Sequence, residues 1–178
     1  MIRTFVAIFP PQDVREALFR AAQNLQTSGD LRLVGQEKIH LTLKFLGDVA
    51  EEDLDTIVKA LQPLSEGHDP FEVSTSGFGA FPSERKARIL WTGIEQGSEP
   101  LRTVAEEVEN LLAPAGFERE NRPYVPHLTL GRTRARGTKL ETSEPPPTLH
   151  FTVHGIDLVK SAPGANGVTY SILSSYRF

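Results

Sequence analysis

The chain contains no cysteine. That absence excludes disulfides, thiolate metal sites and a cysteine nucleophile together, and it fits a cytoplasmic protein. Long apolar runs are missing too. Thr4–Phe9 is far too short to span a bilayer, and Pro10-Pro11 follows where a secretory leader would carry a small-residue cleavage site, so neither a membrane span nor a signal peptide is expected. The formal net charge is −4, which excludes a bulk electrostatic binder of nucleic acid. Three catalytic signatures are absent as well: His-Glu-x-x-His, Gly-x-Ser-x-Gly and the glycine-rich phosphate loop. Zinc-dependent hydrolysis, a serine hydrolase and a phosphate-loop nucleotidase are left without a motif, and no metal or other cofactor is expected.

What is present fits one globular unit. At 178 residues, 39% of them apolar and 24% charged, the chain has the size of one domain or of two small lobes sharing a core. Its charge is uneven. Arg132, Arg134, Arg136 and Lys139 follow one another without an intervening acid, and Arg85, Lys86 and Arg88 form a second basic cluster. The acids gather elsewhere, at Glu51–Asp55 and at Glu106, Glu107 and Glu109. Local positive patches on an acidic chain suit a small or single-stranded anion better than a long duplex.

Hydrophobic periodicity outlines the elements. Thr4–Ile8 reads as a buried strand, and Pro10-Pro11 opens a helix reaching about Leu25, with Val14, Leu18, Ala21 and Leu25 at helical spacing and Ser28-Gly29-Asp30 as its stop. Leu31–Val34 and Ile39–Phe45 read as strands. Asp48 and Glu51 fit a capping box for a helix ending near Pro63. Phe71–Phe78 and Arg88–Ile94 are strands, with Gly77, Gly79 and Phe81-Pro82 as the turn between them. A helix spans about Glu99–Ala113, His127–Arg132 is a strand, and 134–147 is a long polar loop. Leu149–Lys160 and Val168–Phe178 form a closing pair around the turn Gly164-Ala165-Asn166-Gly167. Helices interspersed with strands on short turns predict an α+β fold with mostly antiparallel sheet.

The most informative feature is a repetition. His-Leu-Thr-Leu occurs at His40–Leu43 and again at His127–Leu130, about half the chain apart. In a strand, residues two apart share a face, so each copy presents an imidazole beside a hydroxyl, backed by two leucines. Two such strands would surround a small anion with two imidazoles and two hydroxyls, enough for general acid–base chemistry. The other three of the five histidines are rivals. His150 belongs to a looser His-x-Thr but lacks the leucines. His154 lies roughly 13 Å further along an extended strand, too far to share a ligand with it. His68, in a Gly-His-Asp-Pro turn, reads as a surface residue. Arg132 follows His127 by five residues, so strict alternation turns it away from the histidine face unless Gly131 hosts a bulge. Phe45 holds the equivalent place after His40, where it can stack on a base or pack in the core.

Five segments together resemble a known family: Arg3–Ile8, Ile39–Asp48, Gly77–Pro82, Ile89–Gly93 and Arg122–Arg132. The chain is similar to the RNA 2′,3′-cyclic phosphodiesterases of the 2H phosphoesterase superfamily, historically called 2′–5′ RNA ligases. The resemblance implies a single domain over residues 1–178, bilobal and pseudo-symmetric, with two sheets flanked by helices around a central cleft. It implies that His40 and His127 are catalytic, that Thr42, Thr129 and Arg132 hold the phosphate, and that Phe45 packs near the nucleobase. The implied reaction opens a 2′,3′-cyclic phosphate at an RNA end to a 2′-phosphate without a metal, with 2′–5′ joining as a side activity. As a hypothesis, His127 takes the proton of water and His40 protonates O3′; either order suits the sequence. The expected partner is an RNA end or a nucleoside 2′,3′-cyclic phosphate, handled by a monomer without a membrane. A phosphodiesterase acting on a small metabolite such as an ADP-ribose cyclic phosphate, and a non-catalytic RNA-end binding module, are the alternatives.

Overall fold

The computed structural model describes residues 1–27, 31–133, 139–141, 145–164 and 167–178. Strand β1 (Ile2–Ile8) leads into helix α1 (Gln12–Gln23) and the strands β2 (Gln26–Thr27), β3 (Leu31–Leu33) and β4 (Leu41–Val49). Helices α2 (Leu54–Leu61) and α3 (Leu64–Gly67) precede β5 (Phe71–Phe81) and β6 (Ile89–Ile94). Helix α4 (Ser98–Leu112) is followed by β7 (His127–Thr133), β8 (Leu140–Glu141), β9 (His150–Val153), β10 (Gly155–Gly164) and β11 (Gly167–Arg177). Among the described residues every strand pairing is antiparallel, as the α+β reading expects. No helix among them is long and apolar enough to cross a membrane.

Eight strands lie along one curled path, β11-β10-β1-β4-β7-β6-β5-β9, and β3 joins it beside β7. The expected two sheets are therefore two halves of one sheet, held together where Leu41 of β4 pairs with Leu128 of β7. Beyond that pair the strands splay. The edge of β7 that β4 vacates is taken by β3, which runs opposite Gly131–Thr133, so its backbone groups keep partners. At the far ends the sheet curls back on itself. Strands β9 and β10 belong to opposite halves, yet only His154 separates them in the chain. This corrects the single strand read over Leu149–Lys160. The chain turns at Gly155, where a Cβ would stand 2.2 Å from the Tyr176 carbonyl oxygen, a contact no side chain survives.

The helices cross between the halves. Helix α1 follows β1 but packs against β3 and β7, while α4 follows β6 and packs against β4 and α2. The reason is visible in their apolar stripes: Val14, Leu18 and Ala22 on α1, and Leu101, Val104, Ala105, Val108 and Leu112 on α4, are all buried in one cluster with residues of both halves. Each half thus completes its core with a helix from the other.

Several boundaries move. Asp48 lies within β4, and the following helix begins with a single turn at Glu51–Asp53 without a side-chain cap, so the capping box read at Asp48 and Glu51 does not form. Gly77 and Gly79 lie inside β5, not in a turn. His68 is no surface residue: its side chain is mostly buried, Nε2 lies 2.7 Å from Glu107 Oε2, and its ring packs against Phe178. The helix stop at Ser28-Gly29-Asp30 and residues 165–166 of the closing turn lie outside the described residues.

One buried ion pair ties β4 to α4. Lys44 Nζ lies 2.5 Å from Glu109 Oε2 on α4 and donates to the Glu118 carbonyl at 2.7 Å; the same carboxylate accepts from Glu120 N. This links β4 to the segment that leads into β7. Removing one member of a buried pair strands the other charge, so Lys44→Met should cost about 3 kcal/mol in urea unfolding. Adding Glu109→Leu should recover part of that loss. A double variant no more stable than Lys44→Met would show that the pair is not the cause.

Candidate active site

The single Leu41–Leu128 pair sets the geometry. In an antiparallel ladder, opposed residues share a face, and the same register carried one step each way sets His40 against Thr129 and Thr42 against His127. Leu41 and Leu128 are fully buried and point into the core, so the histidines and threonines face the cleft.

The two histidines are held alike. His40 Nδ1 lies 2.6 Å from the Lys38 carbonyl oxygen, and His127 Nδ1 lies 2.8 Å from that of Val125. A carbonyl oxygen only accepts, so each Nδ1 carries the proton and donates it. That leaves each Nε2 with its lone pair, free to take or give a proton.

Matching bulges follow both motifs. Between β1 and β4 the register runs Ala7↔Thr42 and then Val6↔Lys44, leaving Leu43 as the extra residue. Between β6 and β7 it runs Trp91↔Thr129 and then Leu90↔Gly131, leaving Leu130 extra. In each half the extra leucine and the residue after it stay on the core side, and the next residue returns to the cleft. Phe45 thus pairs with Phe5, and Arg132 with Ile89, on the histidine face. Gly131 suits this place because a Cβ there would press against Leu31, Leu33 and the Arg32 carbonyl. Arg132 is exposed, and so is Phe45, at 68%.

The surroundings of the histidines differ. His40 packs among Phe5, Phe9 and Tyr170, with ring centroids 5.0, 5.4 and 5.4 Å away. Burial there pushes its pKa below the ordinary histidine value; the bond to Lys38 opposes the shift, and positive charge on His127 and Arg132 adds to it. His127 lies edge-on to Phe81 at 5.2 Å and to Trp91 at 6.3 Å. Gly79 is required beneath Trp91, since a Cβ would stand 2.3 Å from the indole. The doubled motif does not point to Phe5, Phe9, Tyr170, Phe81 or Trp91, because they lie outside it and only strand order brings them beside the histidines.

Other candidates fall elsewhere. His150 is exposed at the start of β9, two strands beyond β6, opposite Ser74. The cluster Arg85–Arg88 lies beside the end of β7, where Thr133 bonds to the Ala87 and Arg88 carbonyls. Arg134 and Arg136 lie outside the described residues. Among those described, no group of three or more His, Cys, Asp or Glu side chains is arranged to hold a metal ion.

Known proteins are similar to this chain in sequence and fold. The model of the 2′-5′ RNA ligase superfamily matches residues 10–165. An RNA 2′,3′-cyclic phosphodiesterase of Aquifex aeolicus is 30% identical over 99% of this chain and 97% of its own. One from Methanothermobacter thermautotrophicus is 34% identical over 75% of this chain and 72% of its own. The crystal structure of E. coli LigT complexed with 3′-AMP superposes with a TM-score of 0.83 at 25% identity, covering 99% of this chain and 98% of that one.

His40 should titrate by NMR at a lower pH than an ordinary histidine. Arg132→Gln should raise that midpoint by removing a repelling charge, and inorganic phosphate should raise it by adding an attracting one. A His40 midpoint that neither change moves would contradict the placement of Arg132 beside it.

Proposed function

The chain belongs to the 2′-5′ RNA ligase superfamily, and from that premise we propose that it hydrolyses RNA 2′,3′-cyclic phosphate ends to 2′-phosphates. The observation that carries the reading is the pair of cleft-facing imidazoles, each with Nδ1–H tied to a carbonyl and Nε2 free, meeting across Leu41–Leu128.

Thr42 and Thr129 hydroxyls and the Arg132 guanidinium hold the non-bridging phosphoryl oxygens and offset the charge that builds on them. Water attacks phosphorus in line with, and opposite to, O3′. His127 Nε2 takes the water proton as the P–O bond forms. The P–O3′ bond breaks, and His40 Nε2–H protonates O3′. The products are a 2′-phosphate monoester and a free 3′-hydroxyl, and the two imidazoles return to their starting states by exchanging one proton with solvent. A ribose 5′-hydroxyl in the place of water would give a 2′–5′ linkage by the same steps, which accounts for joining as a side activity. Phe45 offers its exposed ring to a base. The proposal needs no metal ion and takes the chain as one two-lobed domain acting as a cytoplasmic monomer.

To act as the acid, His40 must gain a proton when substrate binds, against its depressed pKa in the free protein. In the free protein it is mostly neutral near pH 7, because burial and the charges of His127 and Arg132 disfavour protonation. A cyclic phosphodiester brings one negative charge, which opposes that repulsion and raises the His40 pKa. Substrate thus loads the proton it will need.

Three measurements test this. His40→Ala and His127→Ala should each lower kcat on 2′,3′-cyclic AMP about 10³-fold with EDTA present, while His150→Ala keeps the activity. The product should be 2′-AMP; 3′-AMP would reverse the leaving oxygen, and inactivation by EDTA would sink the metal-free reading. His40 should titrate by NMR at higher pH in the complex with 2′-AMP than in the free protein; a His40 that stays at its free-protein midpoint in that complex would reject it as the acid.

A further inference from the structure

Beyond the reacting centre, the cleft face of the first half carries two further cross-strand rows. Phe45, Phe5, Val159 and Ile172 lie side by side across β4, β1, β10 and β11. Phe5 and Val159 are buried in a small cluster of their own, apart from the main core, while Phe45 and Ile172 at the ends are 68% and 58% exposed. The next row is polar: Arg3 on β1, Ser161 on β10 and Tyr170 on β11. Arg3 is exposed and has no ion-pair partner among the described residues, although Asp48 stands opposite it on β4.

Tyr170 bridges this row to the reacting centre. Its ring lies edge-on to both Phe5 at 5.0 Å and His40 at 5.4 Å. Burial raises the pKa of its hydroxyl, and the charges of Arg132 and Arg3 both act against that rise. The hydroxyl stays protonated at neutral pH and can donate. Arg3 and Tyr170 stand in the same cross-strand row, with Ser161 of β10 between them. A neutral donor in one row with an exposed guanidinium that has no ion-pair partner among the described residues is an arrangement for an anion, distinct from the phosphate assigned to Arg132.

We propose that Arg3 and Tyr170 form a second anion subsite, which takes the phosphodiester 5′ to the terminal ribose, so that the protein selects RNA ends over mononucleoside cyclic phosphates. This rests on the cyclic phosphodiesterase reading above and adds to it the residues that discriminate an RNA end from a mononucleotide. Successive phosphates of a single strand are about one nucleotide apart, and the exposed ring of Phe45 at the end of the apolar row offers a face to the intervening base. A lone nucleoside 2′,3′-cyclic phosphate has no group for Arg3.

The test compares ApA ending in a 2′,3′-cyclic phosphate with 2′,3′-cyclic AMP. In the unaltered protein kcat/KM should favour the dinucleotide. Arg3→Gln should reduce that ratio about tenfold, the loss of one charge-assisted hydrogen bond. Tyr170→Phe should reduce it less. Binding of the unreactive ApA 2′-phosphate should weaken in Arg3→Gln, and its dependence on log salt should flatten by about 0.7, one single-strand phosphate contact. An Arg3→Gln variant that lowers both substrates equally, or leaves the ratio intact, overturns the subsite. Should the unaltered protein cleave neither substrate, the hydrolytic reading fails, while binding of ApA 2′-phosphate against 2′-AMP still decides the subsite: a salt slope unchanged by Arg3→Gln rejects it, and a flatter one supports it.

Discussion

One backbone pairing, Leu41 with Leu128, organises the molecule. It joins the two halves of the sheet where both histidine motifs begin. Because β4 and β7 run antiparallel and separate at once, the residues flanking the pair face an opening and not another strand. Both leucines are fully buried, so burial of apolar area holds the junction shut from behind while the polar side chains remain in front. Slipping either strand by one residue would turn the histidine and threonine inward together, and the cost of burying them unpaired makes that register prohibitive.

The junction is thin, and the rest of the fold compensates for it. Helices α1 and α4 cross to the opposite half, Lys44 ties β4 to the approach to β7, and the sheet closes on itself through His154 and Gly155. Neither half can shed the other without exposing an apolar helix stripe. This shared core keeps two imidazoles from distant parts of the chain in one geometry, with the orientation of each set by a carbonyl two residues upstream.

Near symmetry of backbone comes with asymmetry of environment. The two bulges place Phe45 and Arg132 at equivalent positions, one aromatic and one cationic. The aromatic side of the cleft desolvates His40, and the cationic side repels its proton. The proton affinity of His40 is thereby lowered, a shift that a nearby negative charge would oppose.

Much of this was legible in residue order, because it depends on neighbours. Alternation of polar and apolar residues at 40–43 and 127–130 sets which side chains share a face, the leucines set which face is buried, and Val14 and Leu18 set the stripe of α1, which continues through Ala22 where the spacing predicts Ala21. The possibility of a bulge at Gly131 is also local. What residue order could not decide depends on partners far along the chain. The bulge at Leu43 exists only in relation to β1, and the break at Gly155 only in relation to Tyr176. The burial of His68 depends on Glu107 and Phe178, and the depressed affinity of His40 on Tyr170 and Arg132. The sequence by itself determined which side chains share a face and which groups are offered for chemistry, since identity and period-two spacing are properties of short segments. Only the tertiary structure decided that they meet, which one is desolvated and what lies beside them, because register between distant strands is fixed by the packing of the whole core.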